Sequence, residues 1–348
     1  MTGTITGRGW AVPAEMPQDR LWDGFFRDHY AGSELARRIW HRAGVATRHG
    51  VADPREEDLS GWSTGARMRR FAEESLPLGK EALTACMADA ALSPADVDQL
   101  TVVSCTGYAT PGLDILLARD LGLREDVQRL HVGHMGCYAA LPGLATVADT
   151  AAARGRTSLL LCLELTSLHI QPATDDVEQV VAHALFSDAA AAVAVAPTAR
   201  EVRGLEVVDL VARTDVTRSA LMTWDVTDLG FRMGLSPRVP SVLAGHIADV
   251  VGTLVRQHGV ALDAIARWAI HPGGPRIVDV VAERLQLRDE QVADSRAVLR
   301  EHGNCSSATV LLILDRIMER DDLRPGDAVV AMAFGPGLTL YAALLRVR

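Results

Sequence analysis

Basic excess, long apolar runs, paired cysteines and aromatic clusters are all missing from this sequence. With 35 Lys and Arg against 44 Asp and Glu among 348 residues, its formal charge is -9. No basic face is therefore expected to hold nucleic-acid phosphates. The densest acidic runs, Pro54–Asp58 and Glu319–Asp322, are short and read as solvated surface. The longest unbroken apolar stretch, Ala189–Pro197, is too short to span a bilayer. Met1–Pro17 carries no basic stretch followed by an apolar one, so no secretory signal is expected. Cys86, Cys105, Cys137, Cys162 and Cys305 are widely spaced and form no CxxC pair. An odd set of that kind fits a reducing cytoplasm, and neither a disulfide framework nor a zinc site. There is no HxxxH spacing and no GxGxxG after a strand, so neither a metal nor a redox cofactor is expected.

What is present is alternation. Leu78–Ala91, Ile115–Leu121, Ala139–Ala153, Ser241–His258, Ile277–Leu285 and Ser307–Arg320 have helical patterns. Between them lie short apolar runs at Leu100–Cys105, Leu130–Val132, Leu159–Leu163, Ala189–Val195, Trp268–Ile270 and Ala328–Ala333. Buried strands separated by helices predict an α/β fold with sheets covered on both faces. The two halves also echo each other. Ser104 precedes Cys137 by 33 positions, and His271 precedes Asn304 by the same 33. After each of Gly136-Cys137 and Gly303-Asn304 comes a helix and then a strand. We therefore expect a duplicated unit, residues 1–197 and 198–348, whose equivalent strand ends meet near a pseudo-symmetry axis.

Three motifs would meet there. In Gly133-His134-Met135-Gly136-Cys137-Tyr138, a cysteine sits at a strand-to-helix turn, where unpaired backbone N–H groups favour a thiolate. The ordinary alternative is a structural cysteine at a helix start. In Trp268-Ala269-Ile270-His271-Pro272-Gly273-Gly274-Pro275, His271 ends a strand and enters a Pro/Gly turn. An imidazole there can activate a neighbouring thiol, or be a satisfied polar residue. In His302-Gly303-Asn304-Cys305-Ser306-Ser307, Asn304 is either a helix cap or an amide donor for a carbonyl oxygen that gains charge. His131, His134 and His302 read as surface groups or supports of these residues.

Together the motifs resemble the catalytic centre of type III polyketide synthases, the chalcone-synthase-like branch of the thiolase superfamily. The similarity continues through Leu185-Phe186-Ser187-Asp188-Ala189-Ala190 and Phe334-Gly335-Pro336-Gly337-Leu338-Thr339. It implies a thiolase-like, duplicated αβαβα layered fold with buried mixed sheets, and a homodimer. It further implies loading of an acyl-coenzyme A starter on Cys137, then decarboxylative condensation with malonyl-coenzyme A assisted by His271 and Asn304. Free coenzyme A thioesters would be substrates, with no cofactor. Phe186 would be a gatekeeper and the Gly335–Gly337 loop a wall of the site. The resemblance puts Cys105, Thr110, His169 and Ser306 at cavity positions. Met233 falls where the plant enzymes carry a second gatekeeper Phe, an expectation of a softer wall and an aliphatic starter. The basic cluster Arg37-Arg38, Arg42 and Arg48, with Arg38 and Arg42 one helical turn apart, would meet coenzyme A phosphates or simply form a solvated face. The alternative activity is that of a related ketoacyl-synthase-III-like enzyme. Such an enzyme makes a single condensation or transfers the acyl group to an alcohol or amine.

Overall fold

Apolar runs too short for helices become the central strands, and the alanine-rich and leucine-rich segments between them become helices packed on those strands. The computed structural model describes residues 2–199 and 203–348. The chain opens with β1 (Gly3–Ala11), β2 (Glu15–Pro17), α1 (Gln18–Leu21), a π-helical turn (Trp22–Phe26), α2 (Arg27–His29), α3 (Glu34–His41) and β3 (Thr47–His49). It continues through α4 (Thr64–Asp89), β4 (Gln99–Ser104), α5 (Leu113–Asp120), β5 (Gln128–Gly133), α6 (Ala140–Arg154), β6 (Ser158–Glu164), α7 (Val177–Leu185) and β7 (Ala189–Pro197). Then come β8 (Leu205–Thr214), β9 (Met222–Thr227), β10 (Gly230–Leu235), α8 (Val239–Gln257), β11 (Ile265–Ile270) and α9 (Pro275–Leu285). The last elements are α10 (Asp289–His302), α11 (Ala308–Met318), β12 (Ala328–Gly335) and β13 (Thr339–Val347).

Nine strands form one mixed sheet in the order β11-β12-β13-β8-β1-β7-β6-β4-β5. Its pairings repeat about the β8–β1 junction. β4 and β6 are parallel, as are β11 and β12. β6 and β7 are antiparallel, as are β12 and β13. β1 and β7 are antiparallel, as are β8 and β13. Strand β5 has no counterpart and ends the sheet. Helices α6 and α11 pack on each other and on strands of both halves, and residues 308–314 of α11 are buried without a break. A helix apolar all round belongs in such an inner layer. Helices α4 and α5 cover β1, β4 and β7, while α8 covers β8 and β13. Among the described helices, α8 alone is long and apolar enough to cross a membrane. It is a core helix, burying Val239, Leu243, Ile247, Val251 and Leu254.

The predicted helices and strands all recur, with ends shifted by a few residues; α4 begins well before Leu78. Strands β1, β8 and β13, helices α3, α7 and α10, and the β9–β10 hairpin were not predicted. Their faces are mixed, and their partners lie far away in sequence.

Candidate active site

Cys137 lies in the turn before α6, between Gly136 at φ +81° and Tyr138. A Cβ on Gly136 would stand 2.3 Å from Cδ of Pro336, so only glycine permits the approach of the 335–337 loop. Cys137 is 6% exposed. Burial pushes its thiol up to about 12, a shift opposed by a hydrogen bond from Ser306. The helix N-terminus does not lower it as the turn position implied, because desolvation wins.

His271 follows β11, its N–H donating to Met332 O at 2.8 Å and its carbonyl accepting from Gly273 N at 3.1 Å. The backbone is thus fixed, but neither ring nitrogen has a partner among the described residues. Burial holds the imidazole down to about 3, so it is neutral in the free protein. Burial thus favours thiol and imidazole over thiolate and imidazolium. Leaving buried ring nitrogens unpaired costs about 1–3 kcal/mol each. That cost is recovered when a ligand supplies a partner.

Asn304 comes from the other side of the site. Its N–H donates to Leu185 O at 2.8 Å, and its carbonyl accepts from Ser187 N at 3.0 Å. It thereby forms a parallel bridge with Phe186. The preceding Gly303, at φ +72°, lies where a Cβ would come within 2.9 Å of Ser187 Cβ. The side-chain Oδ1 accepts from Ser306 N at 2.9 Å, which leaves the amide NH₂ as a free donor.

One cavity of about 620 Å³ joins these groups. Cys137, His271, Asn304, Phe186 and Met233 line it, and Arg38, Arg42 and Arg276 stand on the same lining. Behind the nucleophile are two much smaller spaces. One, of about 20 Å³, is lined by Cys105, Cys137, Ser306 and Pro336. The other, of about 50 Å³, is lined by Arg48, His169 and Phe231. Phe186 and Met233 border all three spaces.

The remaining expected residues divide. Cys105 is placed beside Ser306, Sγ to Oγ 3.4 Å. His169 is one wall removed from Cys137. Its Nδ1 accepts from Phe231 N at 3.0 Å and its Nε2 donates to Thr106 O at 2.5 Å, so the ring is neutral and fully engaged. Gly335 abuts the nucleophile, since a Cβ there would lie 3.2 Å from Cys137 N. Gly337 does not line the cavities; it sits at φ +74° and donates to Met222 O at 3.0 Å. Thr110 is a correction. It is exposed and borders a separate space of about 530 Å³ with Phe71, Tyr108, His131 and His134. The chain leaving β4 crosses the Phe71 ring at Gly107, where no Cβ fits, and runs outward.

Two residues escaped sequence reasoning. Glu164 is fully buried at the end of β6 and accepts from Cys105 N at 3.0 Å, Thr106 Oγ1 at 2.8 Å and Ser307 Oγ at 2.5 Å. Burial raises its carboxyl. A lone acid closing the apolar run Ser158–Leu163 was the available signal. Trp224 is the direct cross-strand partner of Met233 in the β9–β10 hairpin. Its Nε1 donates to Cys105 O at 2.6 Å, and its ring borders both small spaces. The bulk missing at Met233 is thus supplied from the opposite strand. On the side of the small spaces Trp224 stands beside Met233, while Met233 also lines the large cavity.

Two family models match the chain: chalcone and stilbene synthases, N-terminal domain, over residues 3–198, and the C-terminal domain over residues 213–348. A 1,3,6,8-tetrahydroxynaphthalene synthase of Streptomyces peucetius subsp. caesius is 35% identical, over 91% of this chain and 84% of its own length. A 3,5-dihydroxyphenylacetyl-CoA synthase of Amycolatopsis orientalis is 34% identical, over 78% and 74%. Among solved structures, the tetrahydroxynaphthalene synthase of Streptomyces coelicolor A3(2), a bacterial type III polyketide synthase, superimposes with TM-score 0.93. It is 26% identical and covers 99% of both chains. The C-terminal type III polyketide synthase domain of Steely1 from Dictyostelium gives TM-score 0.94 at 27% identity, covering 100% of this chain and 99% of its own.

Proposed function

Because this chain belongs to the chalcone and stilbene synthase family and is a type III polyketide synthase, we propose a specific division of labour among Cys137, His271 and Asn304. The reaction condenses an acyl-coenzyme A starter with malonyl-coenzyme A; a single condensation or transfer to an alcohol or amine is not favoured. The starter enters through the large cavity, its phosphates drawn to Arg38, Arg42 and Arg276. His271 takes the Cys137 proton as sulfur attacks the thioester carbonyl, and returns it to the departing coenzyme A thiolate. Malonyl-coenzyme A then places its thioester oxygen between His271 and the Asn304 amide. Loss of carbon dioxide leaves an enolate, stabilised by those two fixed donors. Its carbon attacks the Cys137 thioester, forming the new carbon–carbon bond and freeing the thiolate. The observation that carries this reading is the pair of buried imidazole nitrogens with no partner beside an amide whose oxygen is already tied. The substrates are free coenzyme A thioesters, with no metal or redox cofactor required, and the setting is the cytoplasm.

Cys137→Ala should abolish the acyl adduct seen by intact-protein mass spectrometry, and an adduct on that variant would overturn the assignment. Asn304→Ala and His271→Ala should each slow malonyl decarboxylation about 10²–10³-fold, the usual effect of losing one such donor. Asn304→Ala should spare loading, because only His271 is asked to move the thiol proton. Equal loss of loading in both variants contradicts the division.

The small spaces behind Cys137 favour a short starter. About 20 Å³ admits one or two water-sized groups, each needing roughly 10–15 Å³. The methyl end of an acetyl group therefore fits this space, whereas a fatty acyl chain does not. Trp224→Ala should join the two spaces. Relative use of hexanoyl- over acetyl-coenzyme A should then rise about tenfold or more, since each buried methylene is worth about 0.8 kcal/mol. Trp224→Phe should fall between. Wild-type preference for hexanoyl-coenzyme A, or no shift in Trp224→Ala, would refute the assignment.

We also propose a homodimer through the β5 edge. β5 ends the sheet, residues 128–131 are exposed, and Tyr108, Ile115 and Leu130 form exposed apolar groups in the same region. An open edge of this kind is normally covered. Light scattering at micromolar concentration should give twice the chain mass; the monomer mass alone would refute it.

A further inference from the structure

Helix α7 ends inside the protein, where its last carbonyls cannot reach water and need donors from elsewhere. Gln18 Nε2 donates to Ala184 O at 2.9 Å. Arg48 Nη1 donates to His183 O at 2.5 Å and to Phe186 O at 3.0 Å. Arg48 Nε is itself held by Gln18 Oε1 at 2.9 Å, and the guanidinium lies 4.7 Å from the centre of the Trp40 ring. Arg48 is 6% exposed, and no carboxylate bonds it among the described residues. Asp188, the acid whose field reaches it, has its oxygens engaged by Val51 N, Ser167 N and Thr166 Oγ1. A buried charge without a counter-ion is costly, so its retention calls for an explanation in what it holds.

What it holds is the segment bonded to Asn304. Leu185 and Ser187 flank Phe186 and make the two backbone hydrogen bonds that carry Asn304. The stem of Arg48 also backs Gly303, where a Cβ would lie 3.5 Å from Arg48 Cβ. We propose that Arg48 is a positioning residue for malonyl decarboxylation: it clamps the turn at 183–186 and, through the Phe186 bridge, sets where the Asn304 amide points. It need not touch substrate or the reacting atoms. The proposal rests on Asn304 being the oxyanion donor, as assigned above.

The test is a double-mutant cycle with two readouts, acyl loading of Cys137 by mass spectrometry and carbon dioxide release from malonyl-coenzyme A. Arg48→Met should lower decarboxylation about tenfold or more, yet add less than about twofold in an Asn304→Ala background, because coupled residues are non-additive. Loading should change little. Arg48→Lys should recover part of the loss, since an ammonium reaches one of the two carbonyls. Gln18→Leu, which removes the guanidinium's support, should give the same split if Arg48→Met folds poorly. Additive losses in the cycle, or equal loss of loading and decarboxylation, would overturn the proposal. If Asn304→Ala alone leaves decarboxylation unchanged, the reading of Asn304 fails, and the clamp fails with it.

Discussion

Two backbone hydrogen bonds, from Asn304 N–H to Leu185 O and from Ser187 N–H to Asn304 O, join the halves of this protein at its reactive centre. The Leu185–Ser187 segment comes from the first half and Asn304 from the second. The approach demands glycine at 303, and the Oδ1 contact with Ser306 N then turns the amide so that its NH₂ is left free. Pseudo-symmetric strand ends make the meeting possible: β11 delivers His271 as β4 delivers Ser104 and Cys105.

Burial decides the electrostatics that follow. Cys137, His271 and Glu164 are all removed from water, and in each the neutral form gains. Burial therefore favours an uncharged Cys137–His271 pair, whose unsatisfied donors are left for substrate. Such preorganisation costs folding energy, and a large packed core carries it: residues 308–314 of α11 are buried throughout, and the inner layer ties both halves of the sheet together. A charged resting pair would need counter-charges at the bottom of an apolar cavity, and none of the lining residues near Cys137 is a cation.

The meeting of Cys137, His271 and Asn304 at one cavity was legible in the sequence because each sits in a turn whose glycines and prolines mark it. The layered fold was legible because its central strands are continuous apolar runs. Trp224 was not, since nothing in Met222–Thr227 announces that it lies opposite Met233; that follows only from hairpin register. Thr110 was placed in the cavity by the resemblance, which cannot show that Gly107 carries the loop over Phe71 and away. Glu164 was hidden for another reason. A lone acid in an apolar strand becomes informative only when its hydrogen-bond partners are known, and Arg48, expected with its neighbours to meet coenzyme A phosphates, is instead buried against the carbonyls at the end of α7.

The central claim is that His271 and Asn304 converge on one thioester oxygen. A crystal structure of the Cys137→Ala protein with malonyl-coenzyme A bound tests it most directly. The account predicts the thioester oxygen within hydrogen-bond distance, about 2.7–3.2 Å, of both a His271 ring nitrogen and the Asn304 amide nitrogen. A malonyl group seated with its thioester oxygen on neither would contradict it.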